Sequence, residues 1–202
     1  MMKIKLCGLS QMEDIETVNE LKPEYIGFVF AAKSRRYVTP QTAAELKRRL
    51  LPQIQAVGVF VNEDVEMVAR LLDNGVINIV QLHGNENENY IRRLKQRADK
   101  PIVKAFRVET ASDIAEAERS PADYILLDSG AGTGTVFDWK LLQNIRRPYF
   151  LAGGLTPDNV ANTVKQLHPF AVDVSSGIET DGAKDKEKMA AFVAAVRKEE
   201  NL

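Results

Sequence analysis

The sequence lacks several features on which whole classes of protein depend. It has one cysteine in 202 residues, and a single thiol cannot form an internal disulfide. No apolar run approaches the ~20 residues that a membrane-spanning helix needs. The N-terminus, Met-Met-Lys-Ile-Lys-Leu-Cys, has no apolar core of the kind found in signal peptides. We therefore expect a cytoplasmic protein with no membrane partner and with a free thiol at Cys7.

The sequence also has no large excess of positive or negative charge. Lysine and arginine number 27, aspartate and glutamate 28, and the formal net charge is -1. Short basic pairs such as Arg48-Arg49 and Arg92-Arg93 are typical of solvated helix faces rather than of a nucleic-acid interface. We therefore predict no nucleic-acid partner. With 45% hydrophobic residues, the composition is that of an ordinary globular domain that needs no disulfide or metal for stability.

Short strand-like runs alternate with amphipathic segments along the whole chain. The candidate strands are Lys3–Cys7, Tyr25–Phe30, Gln55–Val61, Ile77–Leu82, Ile102–Phe106, Tyr124–Asp128, Tyr149–Ala152 and Ala171–Ser175. Helices are predicted to begin near Met12, Pro40, Asp64, Asn87, Ala111, Asp138, Pro157 and Asp185. Pro40 and Pro157 each follow a threonine, which indicates a cap residue with proline at the first helical position.

Eight strand–helix units predict a parallel sheet with crossover helices. An open doubly wound sheet has the same alternation, but two observations favour a closed barrel. The units number eight, and residues suited to chemistry follow strands from the first to the last, which are neighbours only when the sheet closes. No linker divides the chain. We therefore predict an α/β fold, a single (β/α)8 TIM barrel that forms one catalytic domain over residues 1–202.

Residue parity predicts which side chains face the barrel interior, because strand residues two apart share a face. An inward Cys7 places Lys5 inward as well. The third strand is expected to place Ala56, Gly58 and Phe60 inside, with Val57, Val59 and Val61 beneath the helices. In the fourth, sixth and eighth strands the pairs of shared parity are Gln81 and His83, Leu126 and Asp128, and Asp173 and Ser175.

Two strand ends carry candidate catalytic groups. Cys7 ends the first strand, and Gly8 after it is expected to leave space for a ligand. Asp128 ends the sixth strand after an apolar run. Taken singly, the cysteine is more simply a small buried hydrophobe and the aspartate a loop-ordering acid. Together they fall on the face where barrel enzymes place their catalytic groups, which favours chemistry.

Two glycine- and serine-containing loops predict a phosphate site. Gly153-Gly154 follows the seventh strand and Ser175-Ser176 the eighth, the positions at which such barrels commonly bind phosphate. Glycine permits close approach of the backbone, and serine adds donors. A tight turn and a helix cap are the plainer alternatives. In the loop after the second strand, Arg36 is a candidate to bind a carboxylate bidentately, although a lone loop arginine is more often only solvated.

A histidine-pair metal site is not expected. His83 ends the fourth strand, whereas His168 precedes the eighth strand and so lies at the opposite end of the barrel. We predict no metal.

An ordered set of motifs resembles one family, the phosphoribosylanthranilate isomerases. No single motif is decisive, but the set runs from Lys3 to Gly177. Its members are Lys5-Leu6-Cys7-Gly8-Leu9-Ser10, Gly27-Phe28-Val29-Phe30, Ser34-Arg35-Arg36-Tyr37-Val38, Val57-Gly58-Val59-Phe60-Val61-Asn62, Val80-Gln81-Leu82-His83-Gly84, Leu126-Leu127-Asp128, Gly132-Thr133-Gly134, Phe137-Asp138-Trp139, Gly153-Gly154-Leu155 and Val172-Asp173-Val174-Ser175-Ser176-Gly177.

The resemblance implies an Amadori rearrangement of N-(5-phosphoribosyl)anthranilate in tryptophan biosynthesis, without a cofactor or metal. It implies Asp128 as the acid, Cys7 as the base and Arg36 as the clamp for the substrate carboxylate. It implies a phosphate site at Gly153, Gly154, Ser175 and Ser176, and we expect Gln81 and His83 to contact the substrate. Ala131 stands where the family often has glycine.

Three points stay open at this stage. Lys5 is expected either to favour the Cys7 thiolate or to be neutralised by Asp173 in a structural ion pair. Another phosphate-binding barrel enzyme that acts on a pentose or a phosphoribosyl amine would share the site, as would a non-catalytic phosphate-binding module. The protein is expected to be a monomer or a homodimer.

Overall fold

The computed structural model describes residues 2–128, 141–142 and 145–199. Eight parallel strands close into a barrel in the order of the chain, so the predicted TIM barrel is confirmed. The strands are β1 (Lys3–Cys7), β2 (Tyr25–Val29), β3 (Gln55–Phe60), β4 (Ile79–Leu82), β5 (Ile102–Arg107), β6 (Tyr124–Asp128), β7 (Tyr149–Ala152) and β8 (Ala171–Val174).

Seven α-helices lie within the described residues, and none of them is long and apolar enough to cross a membrane. They are α1 (Met12–Leu21), α2 (Pro40–Arg49), α3 (Val65–Asp73), α4 (Glu88–Arg97), α5 (Ala111–Arg119), α6 (Val160–Leu167) and α7 (Lys186–Glu199). The helix predicted at Asp138, with Trp139 and the Gly132-Thr133-Gly134 segment, falls outside the described residues. A short hairpin of β9 (Glu179–Thr180) and β10 (Ala183–Lys184) follows β8 and was not predicted.

The two threonine–proline helix starts have different outcomes. The Thr39 hydroxyl accepts a hydrogen bond from the Thr42 N–H, and α2 begins at Pro40 as predicted. The predicted start at Pro157 is wrong, because α6 begins at Val160. The Asn159 amide bonds both the Thr156 N–H and the Gly154 carbonyl, and this ties the preceding residues into a turn.

The predicted parity of β3 is also wrong. Cys7 lies beside Gly27 and Gly27 beside Val57, and register neighbours in a sheet share a face. Val57 and Val59 therefore face the barrel interior, and Val61 lines the cavity at its carboxyl end. Phe60 packs instead in the layer beneath the helices, where its ring stacks on Phe30 at 5.1 Å between centroids. The expected inside set Ala56, Gly58 and Phe60 thus faces the helices.

Aromatic side chains fill the amino-terminal end of the barrel. Tyr25, Tyr124, Phe150 and Phe170 contact one another there, with ring centroids 5.1 to 5.9 Å apart. Above them the interior becomes polar, because Lys5 of β1 lies beside Asp173 of β8 where the sheet closes. The barrel interior is therefore apolar at its amino-terminal end and becomes polar towards its carboxyl end.

Candidate active site

A cavity of about 490 Å³ opens at the carboxyl end of the barrel. The structure places every predicted site residue in its lining: Cys7, Arg36, Gln81, His83, Asp128, Gly153, Gly154, Ser175 and Ser176. These residues follow β1, β2, β4, β6, β7 and β8, or end those strands. The barrel therefore brings together side chains that are more than 160 positions apart in sequence, as between Cys7 and Ser175.

The Cys7 thiol is buried and closely surrounded. Gly27 lies beside it, and a Cβ at that position would stand 2.5 Å from Sγ, so only glycine leaves room for the thiol. Burial raises the pKa of Cys7, while the positive charges of Lys5 and Lys184 partly oppose that rise. The thiol is thus protonated at neutral pH, and the two ammonium groups are what favours its ionisation.

Of the two roles expected for Lys5, the ion pair with Asp173 is present in the structure. The Lys5 Nζ lies 2.7 Å from Asp173 Oδ2, and its positive charge also acts on the Cys7 thiol two residues along the same strand. Burial opposes the charge of Lys5, yet Asp173 and Cys7 outweigh it and raise the pKa of Lys5. The ammonium is therefore a permanent charge shared between a structural ion pair and the thiol.

A chain of polar groups runs from Gln81 to Asp128. The Gln81 amide Nε2 lies 3.0 Å from His83 Nδ1, and His83 Nε2 lies 3.8 Å from Asp128 Oδ2. Burial lowers the pKa of His83, so the ring is neutral at pH 7. With the amide donating to Nδ1, the neutral ring carries its proton on Nε2 and presents it towards Asp128.

Arg36 enters the cavity across Gly8. A Cβ at Gly8 would stand 2.5 Å from Arg36 Cδ, and Gly8 has a φ of +82. The space expected for a ligand beside Gly8 is therefore occupied by the arginine stem, which corrects that expectation. The guanidinium itself is held by Glu179, with Nε at 2.6 Å from Oε1 and Nη2 at 2.9 Å from Oε2.

The two loops predicted to bind phosphate pack directly on each other. A Cβ at Gly177 would stand only 1.9 Å from the Leu155 carbonyl oxygen, so the loops after β7 and β8 meet backbone to backbone. Gly153 and Gly154 both have positive φ, at 95 and 62. The Ser175 hydroxyl donates to the Cys7 carbonyl at 3.1 Å and so joins this pair of loops to β1.

Two charged residues of the site escaped the sequence analysis. Glu179 and Lys184 lie on the β9–β10 hairpin, are both buried, and pair at 2.7 Å between Nζ and Oε1. The signal that was available is Glu179 itself, an acid two residues beyond the glycine of the second phosphate loop. Nothing in local sequence indicated that Arg36 would bind it.

The second histidine lies elsewhere, as predicted. His168 lines a separate cavity at the amino-terminal end of the barrel, together with Tyr149 and Phe170. His83 and His168 thus belong to opposite ends of the molecule.

Comparisons with known proteins agree on one family. A family model described as N-(5'phosphoribosyl)anthranilate (PRA) isomerase matches residues 4–195. The N-(5'-phosphoribosyl)anthranilate isomerase of Endomicrobium trichonymphae is 46% identical over 202 residues, which cover 98% of this chain and 99% of that protein.

Solved structures show the same likeness. The crystal structure of the phosphoribosyl anthranilate isomerase from Thermotoga maritima superposes with a TM-score of 0.90 at 35% identity, over 98% of this chain and 100% of that one. A second isomerase structure, in complex with reduced 1-(o-carboxyphenylamino)-1-deoxyribulose 5-phosphate, has a TM-score of 0.88 at 35% identity, with the same coverage.

Proposed function

The chain belongs to the phosphoribosylanthranilate isomerase family, and we propose that Cys7 and Asp128 are the base and the acid of its reaction. It is an isomerase of tryptophan biosynthesis, as its family membership implies. The observation that carries the assignment of roles is the convergence of a thiol, a carboxyl group, an arginine and two glycine- and serine-containing loops on one cavity.

The reaction rearranges N-(5-phosphoribosyl)anthranilate into 1-(2-carboxyphenylamino)-1-deoxyribulose 5-phosphate. A proton from the acid goes to the ribose ring oxygen, and the bond between that oxygen and C1 breaks to leave an iminium ion. The base then removes the proton from C2, and the resulting enolamine tautomerises to the ketone. Substrate and product are isomers, so the chemistry needs one proton donor and one proton acceptor.

In this proposal Asp128 protonates the ring oxygen. It lies at the mouth of the barrel with the His83 ring 3.8 Å away, and the imidazole is neutral because burial lowers the pKa of His83. The anionic substrate and the loss of water on binding are expected to favour the protonated form of this carboxyl group in the complex. Gln81 orients the ring through its amide.

In this proposal Cys7 removes the C2 proton. It is the inward residue at the end of β1, and the ammonium groups of Lys5 and Lys184 favour its thiolate. Because burial raises the pKa of the thiol, the thiolate fraction grows as the pH rises above neutrality.

The two anionic ends of the substrate have separate sites in this proposal. The phosphate lies at the loops of Gly153-Gly154 and Ser175-Ser176, where backbone groups approach closely. The anthranilate carboxylate binds Arg36, whose guanidinium offers N–H groups beyond the two that Glu179 accepts. The protein works in the cytoplasm as a monomer or a homodimer, and it requires no metal or cofactor.

Turnover of freshly made phosphoribosylanthranilate tests the proposal, since its fluorescence decays as it is consumed. Wild type is expected to consume it rapidly, while Cys7→Ser and Asp128→Asn are each slowed by about 10² to 10⁴-fold. Asp99→Asn makes the same change at an exposed position at the opposite end of the barrel and should retain full activity.

Two results would contradict the proposal. A folded wild type without turnover would move the function to another sugar phosphate, or to a binding module that has no use for an acid–base pair. Full activity in either variant would remove that residue from its role.

A further inference from the structure

Glu179 is a buried acid surrounded by three cationic side chains. Its carboxylate accepts from Arg35 at 2.7 Å, from Arg36 at 2.6 and 2.9 Å, and from Lys184 at 2.7 Å. Its side chain is 4% exposed, whereas that of Arg35 is 60% exposed. Although burial opposes it, the positive charges of Arg36 and Lys184 hold the pKa of Glu179 down to about 2. The carboxylate is therefore charged throughout the range in which proteins work.

The contact with Arg36 uses one edge of the guanidinium. Nε donates to Oε1 and Nη2 to Oε2, a bidentate pairing of two planar groups. A guanidinium has five N–H donors in fixed directions, so a bound edge determines where the other donors point. Arg36 lines the cavity. The N–H donors of Arg36 that Glu179 does not bind therefore form a second edge of the guanidinium, and the direction of that edge is fixed.

Glu179 also connects this arginine to the second phosphate loop. Lys184 donates to Glu179 Oε1 and, at 2.9 Å, to the Ser175 carbonyl. Arg36, Lys184 and the exposed Arg35 carry three positive charges against one carboxylate. The cluster keeps a net positive charge, which suits a ligand with a carboxylate at one end and a phosphate at the other.

We infer that Glu179 is a positioning residue that selects for the substrate's carboxylate by holding Arg36 in the geometry that binds it. The inference rests on the proposed function and deepens it. Glu179 does not touch the substrate, because Arg36 stands between them. The long side chain of Arg36 would otherwise be mobile. Glu179 fixes its conformation before the substrate binds, so less conformational entropy is lost on binding.

Binding of two product analogues tests the inference without relying on turnover. One is reduced 1-(o-carboxyphenylamino)-1-deoxyribulose 5-phosphate, and the other is the same compound without the ring carboxylate. By calorimetry, Glu179→Gln should bind the first about 10-fold more weakly and the second nearly as wild type does. In turnover, KM for phosphoribosylanthranilate should rise while kcat changes little.

Two further variants make the result decisive. Glu20→Gln breaks an exposed ion pair with Lys186 and should leave binding of both analogues unchanged. Glu179→Asp keeps the charge but is too short to hold both nitrogens of Arg36, and it should show a smaller version of the same selective loss. The aspartate variant is compared in the same way if the glutamine variant does not fold.

The outcomes separate this inference from the proposed function. If Glu179→Gln weakens the binding of both analogues equally, or changes the binding of neither, the positioning role is overturned. Turnover by the wild type, and with it the proposed function, is not affected by that result. Absent wild-type turnover would contradict the proposed function, and the two binding curves would still report on Glu179.

Discussion

At the scale of single residues, the thiol of Cys7 is governed by two opposing effects. Burial favours the neutral form, and the ammonium groups of Lys5 and Lys184 favour the thiolate. Of the two, Lys5, which lies on the same strand as the thiol, opposes the rise of the Cys7 pKa more strongly than Lys184 does. The charge of Lys5 is therefore the main effect that favours the thiolate of the proposed base.

Replacing that charge should raise the pKa of the thiol. In Lys5→Met the Cys7 pKa should move further up, and the rising limb of kcat/KM against pH should shift in the same direction. The limb shifts to higher pH because a higher thiol pKa leaves less thiolate at any given pH. The thiol is titrated by pH-dependent alkylation.

Lys104→Met provides the control for loss of a buried lysine. Lys104 pairs with Glu86 at 3.2 Å and packs on the helix side of β5. Its removal should leave the Cys7 titration where it was. An unchanged thiol pKa in Lys5→Met would show that the lysine has only a structural role.

The candidate site residues that could be predicted from the sequence are those that end a strand or directly follow one. Cys7 and Asp128 end strands, and Gly153 and Ser175 follow strands, so periodicity alone placed them at one end of the barrel. Glu179 was missed because its partner Arg36 is 143 positions away and on another loop. Such pairing arises only from tertiary contact, and no local pattern records it.

At the scale of elements, the loops after β7 and β8 behave as one unit. Gly177 brings its backbone against the Leu155 carbonyl, and the Ser175 hydroxyl bonds the end of β1. A phosphate bound by either loop is therefore held by both. The site depends on how closely two backbones approach as much as on side chains.

A methyl group at Gly177 should separate these loops. A Cβ placed 1.9 Å from a backbone oxygen must displace one loop, and we expect Gly177→Ala to lower the free energy of unfolding by about 3 kcal/mol. Inorganic phosphate should also become a weaker competitive inhibitor. Urea unfolding and inhibition by phosphate measure the two effects.

Gly75→Ala is the matched control. Gly75 has a φ of +68 and open space around its Cβ position, so alanine there strains only the local backbone, by about 1 kcal/mol. Phosphate inhibition should not change. Equal effects of the two substitutions on phosphate would contradict the close-packing argument.

Element boundaries show where sequence patterns fail. Six of the predicted helix starts agree with the structure to within one residue, namely those at Met12, Pro40, Asp64, Asn87, Ala111 and Asp185. The start at Pro157 failed because a side chain, Asn159, closed a turn that proline alone does not specify. The parity of β3 failed because valine suits either face of a sheet, and only the register with β2 decides between them.

At the scale of the whole molecule, closure of the barrel depends on its first and last strands. β1 pairs with β8, and Lys5 and Asp173 face each other across that junction at 2.7 Å. Lys5 is fully buried. A closed barrel was predictable because the number of strand–helix units and the positions of the polar residues both favoured it over an open sheet. This ion pair was only one of two expected roles for Lys5.

Replacing one member of the ion pair should lower the free energy of unfolding more than replacing both members. Asp173→Asn leaves a buried ammonium without its counter-charge and is expected to lower stability by about 3 to 5 kcal/mol. The double variant Lys5→Met/Asp173→Asn should recover much of that loss, because it leaves no buried charge. Denaturant unfolding compares the variants, and additive losses would show that the two residues act independently.

The pairing of β1 with β8 also bears on how this protein is made. The proposed base ends the first strand, and Ser175, which bonds the carbonyl of that residue, follows the last. A chain emerging from the ribosome presents Cys7 early, but the strand that completes its surroundings appears only near the end of synthesis. Until β8 has been made, the edge of β1 that pairs with it has no partner strand. The cavity also lacks the lining residues that β8 and the loop after it contribute. The enzyme therefore cannot acquire activity in stages: a chain that stops before β8 has neither a closed barrel nor the second of the two loops proposed to bind phosphate.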